Sequence, residues 1–115
     1  MSVDWADFDR DGRFDVYVGN MYSYAGNRIV AQNQFKPDQT SDVIGTFQRF
    51  ARGNTLMRNS GEKDGITIFE DQSLSAAVNR GRWAWGSRFV DLNNDGWQDL
   101  VVANGFITAD DSGDL

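Results

Sequence analysis

Asp7-Phe8-Asp9-Arg10-Asp11-Gly12-Arg13-Phe14-Asp15 runs straight into Val16-Tyr17-Val18. Eighty-four residues later, Asp91-Leu92-Asn93-Asn94-Asp95-Gly96-Trp97-Gln98-Asp99 runs into Leu100-Val101-Val102. Both segments read D-x-[DN]-x-D-G-x-x-D and then turn apolar. Side-chain oxygens at positions 1, 3, 5 and 9, with a turn glycine at position 6, are the donors a hard divalent cation takes from one short segment. Calcium accepts six to eight oxygens in irregular geometry, and a carbonyl at position 7 commonly adds one. The candidate ligands in loop 1 are Asp7, Asp9, Asp11 and Asp15, with the carbonyl of Arg13. Those in loop 2 are Asp91, Asn93, Asp95 and Asp99, with the carbonyl of Trp97. Asp-Gly and Asn-Asp-Gly are also ordinary turn signals. Agreement of two copies at five oxygen-or-glycine positions favours two Ca²⁺ sites over bare turns.

The helix-loop-helix calcium motif opens with the same spacing but closes with a bidentate Glu at position 12 and enters a helix. Here position 12 is Val18 in one copy and Val102 in the other. The residues after position 9 are β-branched, aromatic or aliphatic, which favours a pleated strand. Asp15 and Asp99 would close the sites instead. The flanks agree as well: Val3-Asp4-Trp5-Ala6 precedes loop 1 and Ser87-Arg88-Phe89-Val90 precedes loop 2, each with an aromatic two residues before the leading Asp. The unit is a hairpin whose bend is built around an ion.

This unit resembles the FG-GAP (or VCBS) repeats of integrin α-subunit β-propellers and of many secreted bacterial proteins. Gly53 to Asn59 and Ile66 to Asp71 are similar to the outer strands of such a blade, and Trp83-Ala84-Trp85-Gly86 leads into loop 2, with Asn104-Gly105-Phe106 after it. The combination looks most like the cartilage-acidic-protein-like (ASPIC-type) propellers. The resemblance implies an antiparallel sheet of propeller-blade type with two Ca²⁺ ions, an extracellular or periplasmic setting, and a role in adhesion or ligand contact. Two departures stand out. Asn93 replaces a usual Asp, and 115 residues are too few for a six- or seven-bladed propeller, which implies a fragment or truncated form.

Length and composition set the bounds. One domain with a modest core is expected from 115 residues that are 40% hydrophobic, with four Trp, eight Phe and three Tyr. Twelve Gly and one Pro suit a turn-rich β protein. With no Cys and no His, disulfides, thiolate nucleophiles, Cys/His zinc sites and a histidine base are excluded. A net charge of −6 argues against a nucleic-acid partner. No stretch is long enough to span a membrane, and no signal-peptide pattern opens the chain. Seven of the seventeen acidic residues lie in the two loops, so two Ca²⁺ would bring the formal charge to about −2. Carboxylates about 4 Å apart repel by several kcal/mol per pair at an effective dielectric near 20. Loop 1, with four carboxylates against three, is expected to bind more tightly. Arg10 and Arg13 are expected to point outward.

The expected architecture is mainly β with a helical insertion, amounting to about one and a half blades. A first calcium hairpin occupies 2–19, an insertion 21–52, outer strands 54–71 and a second calcium hairpin 84–104. Within the insertion, residues 24–34 suggest a short helix and Pro37-Asp38 a break. A better helix follows at 41–52, with Ser41 as cap, Val43, Phe47 and Phe50 on one face, and Gly53 at the stop. The insertion is expected to form a helical hairpin that covers an apolar sheet face. Strands at 55–59 and 65–70 flank a turn at Ser60–Gly65, a helical turn is expected at Ser73–Val78, and the tail from Thr108 is expected to fray. Blade faces left bare would favour self-association completing the sheet packing.

Three functions compete. The first is a non-catalytic, calcium-dependent structural or binding module that contacts a protein or glycan. The second is a carbohydrate-active enzyme fragment with carboxylates such as Asp4, Asp64 or Glu70 as an acid/base pair. Most acids are already assigned to the loops, and Glu62 and Glu70, the only glutamates, have no suggestive context. The third is an accessory sugar-binding module using Trp83 and Trp85 beside Arg82 and Arg88. Their alternation on one strand favours burial.

Overall fold

Short apolar segments separated by Asp-Gly and Asn-rich turns leave little room for long helices, and strands dominate. The computed structural model describes residues 1–20, 22, 28–32 and 40–105. Its elements are β1 (Ser2–Ala6), β2 (Asp15–Gly19), α1 (Ser41–Ala51), β3 (Thr55–Lys63), β4 (Ile66–Asp71), β5 (Ala84–Val90) and β6 (Asp99–Asn104). A helical turn at 28–30 is the part of the expected 24–34 helix that falls within the described residues. The Pro37-Asp38 break, Phe106 and the tail lie outside them.

Strands β1 to β4 form an antiparallel meander in that order, and β5 pairs antiparallel with β6 in a second sheet. This is one four-stranded blade followed by the inner half of another. The turn between β3 and β4 is tighter than the sequence suggested. Lys63 pairs with Ile66, leaving only Asp64 and Gly65 at φ 55° and 78°. Two left-handed residues make a type I′ loop, whose twist matches that of the flanking strands. The extra length is taken up by a register shift between Asn59 and Gly61, a bulge that twists the ribbon.

Pairing of Asp4 with Tyr17 and of Tyr17 with Leu56 puts these residues on one face of the blade. That face receives β5. Phe89 N–H donates to the Asp4 carboxylate at 2.7 Å, the Ser2 and Ser87 hydroxyls meet at 2.6 Å, and the Tyr17 and Phe89 rings stand edge to face at 6.2 Å. A Cβ on Gly19 would lie 2.6 Å from Ser2 Oγ, so a larger residue there would displace that hydroxyl from its contact with Ser87. Among the described residues the buried apolar side chains are few: Ala6, Tyr17, Leu56 and Ala84. The opposite face carries Val3 and Trp5, more than half exposed.

α1 departs from expectation at both its start and its packing. Thr40, not Ser41, holds the N-cap position, and no side chain caps the helix. No residue of α1 is buried, with Phe50 56% exposed, so this half of the expected hairpin buries no side chain against a sheet; the other half lies largely outside the described residues. Polar contacts attach it: Arg49 to Asp71 at 3.1 Å and Gln48 to the Val30 carbonyl at 3.3 Å. Gly53 does stand past the helix end, at φ 111°, where a Cβ would lie 2.2 Å from the Asn79 carbonyl oxygen. Residues 73–77 form the expected turn. Val78 N–H bonds to Ser73 O (3.0 Å) and Ala77 N–H to Leu74 O (3.1 Å), with Ala77 left-handed at φ 56°. This bond pair closes a helical turn on a residue that is usually glycine.

Candidate metal centre

The two acidic loops adopt the same backbone course. Position 4 is left-handed in both, Arg10 at φ 62° and Asn94 at φ 59°, and the glycines follow at 85° and 84°. The first aspartate folds over the turn: Asp7 accepts from Asp11 N–H and Gly12 N–H, both at 2.9 Å, and Asp91 from Asp95 N–H at 3.0 Å and Gly96 N–H at 2.8 Å. Position 5 accepts from the N–H of position 7, Asp11 from Arg13 at 3.0 Å and Asp95 from Trp97 at 2.8 Å. Position 9 reaches back to the second residue, Asp15 to Phe8 N–H at 3.1 Å and Asp99 to Leu92 N–H at 3.0 Å. Position 3 accepts from the N–H of position 5, in Asp9 at 3.3 Å and in Asn93 at 3.1 Å. The shared sequence spacing therefore specifies a shared loop, bond for bond.

Convergence differs between the copies. In loop 1, carboxylate oxygens of Asp7, Asp9 and Asp15 lie within 4.8 Å of one another. Such oxygens, clustered on one side of a turn, fit a hard cation such as Ca²⁺. Asp11 does not join that set. Its Oδ2 accepts from the Arg13 guanidinium and, at 3.2 Å, from Arg58 Nη2 on β3, whose Nε also donates to Asp9. Arg13, expected to point outward, is instead folded back against the loop with its side chain still 41% exposed, because a neighbouring carboxylate offers it a partner. Its Nε also donates to the Asn59 carbonyl at 3.0 Å. Arg10 also has a partner: its guanidinium lies 5.0 Å from the centre of the Trp97 ring, bridging loop 1 to loop 2. In loop 2 the Asn93 amide donates to Asp95 Oδ2 at 2.8 Å, and no arginine ion pair forms there among the described residues.

Asp15 is fully buried. Burial raises its pKa, the N–H groups of Asn59 (2.8 Å) and Phe8 pull it down, and the charges of Asp9 and Asp11 push it up again, leaving it above the usual carboxylate value. Asp95 sits below that value, chiefly because the Trp97 N–H and the Asn93 amide donate to it. The partners on β3, Arg58 and Asn59, had no signal in the sequence. They reach loop 1 because Met57 pairs with Val16, which brings the next two residues beside Asp15.

The model of the FG-GAP-like repeat family matches residues 35–102, more than half of the chain. The chain belongs to this family. No curated protein and no solved structure matches it. The FG-GAP-like match takes in loop 2 whole and stops short of loop 1. The identical hydrogen bonds carry the likeness across to loop 1. As an FG-GAP-like repeat the chain is a β-propeller-like binding module, and no helix among the described residues is long and apolar enough to cross a membrane.

The remaining sequence candidates are scattered. Asp4 is engaged by Phe89 N–H at the seam between the sheets. It lies on β1, whereas Glu70 lies on β4, at the far edge of the meander, roughly 14 Å away at three strand spacings. Their strands are thus set wider apart than the separation of about 5–9.5 Å between carboxyl groups on which paired-carboxylate glycoside chemistry depends, and no short strand pairing brings the two acids together. Trp83 and Trp85 are 39% and 57% exposed rather than buried, with rings 6.4 Å apart. Trp85 Nε1 donates to the Gly105 carbonyl at 2.6 Å. Its anchor lies beyond the end of β6, out of reach of a reading based on strand alternation.

Proposed function

We propose that this chain is a non-catalytic, calcium-binding β-propeller-type module that presents a surface to a protein or glycan ligand. The observation that carries the reading is the duplication: two loops with the same backbone course, the same hydrogen bonds and oxygen donors at the same positions. Asp7, Asp9, Asp11 and Asp15 with the Arg13 carbonyl would hold one Ca²⁺, and Asp91, Asn93, Asp95 and Asp99 with the Trp97 carbonyl the other. Each ion supplies positive charge where carboxylates crowd, and so stiffens the bend between two inner strands.

Calcium binding to the native state should raise its stability by about 2.7 kcal/mol per site at a hundredfold excess over Kd, and chelator should reverse this. Thermal melts with and without calcium, paired with calorimetric titration, test it. A folded chain that takes up no calcium would end the metal assignment.

The exposed Trp83 and Trp85 supply an apolar platform suited to stacking on a sugar ring, which supports the glycan form of the ligand. Quenching of tryptophan fluorescence by oligosaccharides tests that arm. The bare faces at Val3 and Trp5 on one side and Val90 and Val101 on the other support association of copies, blade against blade. The motifs around Trp83 and loop 2 favour the cartilage-acidic-protein-like branch, in an extracellular or periplasmic setting.

A further inference from the structure

We propose that Arg58 is the resident counter-cation of loop 1, holding Asp9 and Asp11 when no divalent ion is bound and yielding them when one is. The proposal rests on the calcium reading and concerns its regulation. Loop 1 carries one more carboxylate than loop 2, because Asp9 stands where loop 2 has Asn93. That extra carboxylate is the one Arg58 meets: Nε donates to Asp9 Oδ2, and Nη2 reaches Asp11 Oδ2 at 3.2 Å. Positions 3 and 5 of the loop are thus tied to a single guanidinium, with Arg13 as a second donor to Asp11. In loop 2 the corresponding pair is tied by the Asn93 amide instead, at 2.8 Å. The Asp9 and Asp11 side chains are only 23% and 19% exposed, so solvent screens these charges incompletely.

A guanidinium and a dication cannot share these oxygens without repelling each other. Calcium entering loop 1 must turn Asp11 away from its arginines and push Arg58 outward. Loop 1 therefore keeps its shape at low calcium and binds the ion by exchange. The affinity order of the two loops is not set by the number of carboxylates.

The test uses the full chain in an Asp91→Ala background, so that calcium heats report on loop 1. Arg58→Gln keeps a hydrogen-bond donor and removes the charge, and Arg58→Lys keeps the charge. Arg58→Gln is expected to melt lower in chelator, to regain the loss in calcium, and to bind calcium about tenfold more tightly. Arg58→Lys is expected to retain the parent affinity. Unchanged or weaker calcium binding by Arg58→Gln overturns the proposal while leaving the calcium reading intact. Absence of calcium heat in every form, the wild-type chain included, overturns both. Should Arg58→Gln not fold, NMR of the wild-type chain decides. The Arg58 Nε–H signal is expected to shift and exchange faster with water as calcium saturates, and an unmoved signal overturns the proposal.

Discussion

Asp15 serves two ends that conflict without a cation. It holds Phe8 N–H and Asn59 N–H at the junction of loop 1, β2 and β3, yet its own ionisation is opposed by burial and by Asp9 and Asp11. Asp15→Ala should destabilise the chelated protein by about 1–3 kcal/mol, from two partly buried N–H groups left without their acceptor. Urea denaturation measures this. Asp71 titrates in the opposite sense. Burial would raise its pKa, but the Ser73 hydroxyl and N–H, with Arg49 and Arg52 nearby, hold it below the ordinary 3.8. A lowered folded value means the contribution is complete above the unfolded pKa and is lost as pH falls through and below 3.8. Stability measured against pH should thus lose part of its acid limb in Asp71→Asn. Ala77 sits left-handed at φ 56° in a position suited to glycine. Ala77→Gly is expected to stabilise by about 1 kcal/mol, read from the shift in the denaturation midpoint.

At the scale of elements, legibility followed the range of the interactions. Hairpins closed by local chemistry were readable. Expected strands at 2–6, 14–19 and 84–90 correspond to Ser2–Ala6, Asp15–Gly19 and Ala84–Val90, because Asp-Gly bends and apolar runs fix both ends. The loop between β3 and β4 was misplaced because Ser60 and Gly61 mimic a turn while forming a bulge, and only cross-strand pairing tells the two apart. The partners of loop 1 on β3 were invisible for the same reason: Arg58 lies 47 residues beyond Asp11 and arrives by register. The helix was legible as a helix from its periodicity and from Gly53 at its stop, but not in its N-cap or its packing, since an amphipathic stripe does not say which surface it meets. Its junction with β3 turns on Gly53. Gly53→Ala should cost more than 1 kcal/mol, by left-handed strain and by contact with the Asn79 carbonyl, as an equilibrium melt would record.

The molecule as a whole is broad and thin, with extents of 43 × 43 × 19 Å and a radius of gyration of 16.5 Å, against about 13 Å for a compact chain of this length. Among the described residues, blade against half-blade buries one face of each. Val3 and Trp5 face outward on one side and Val101 on the other, surfaces of the kind that neighbouring blades cover. Size-exclusion chromatography should show concentration-dependent association, and a charge introduced at Trp5→Glu should suppress it without loss of the β1–β2 pairing. A strictly monomeric wild-type chain at high concentration would rule out association through these faces.

The bridge from Arg10 to Trp97 has an optical consequence. An indole with a guanidinium against its face, half open to water, emits according to the position of that charge. Any shift of one acidic bend against the other should move the colour and lifetime of this fluorophore, while Arg10→Gln should silence the change. The protein thus carries its own ruler across the two bends, readable without a label once Trp5, Trp83 and Trp85 are replaced by Phe.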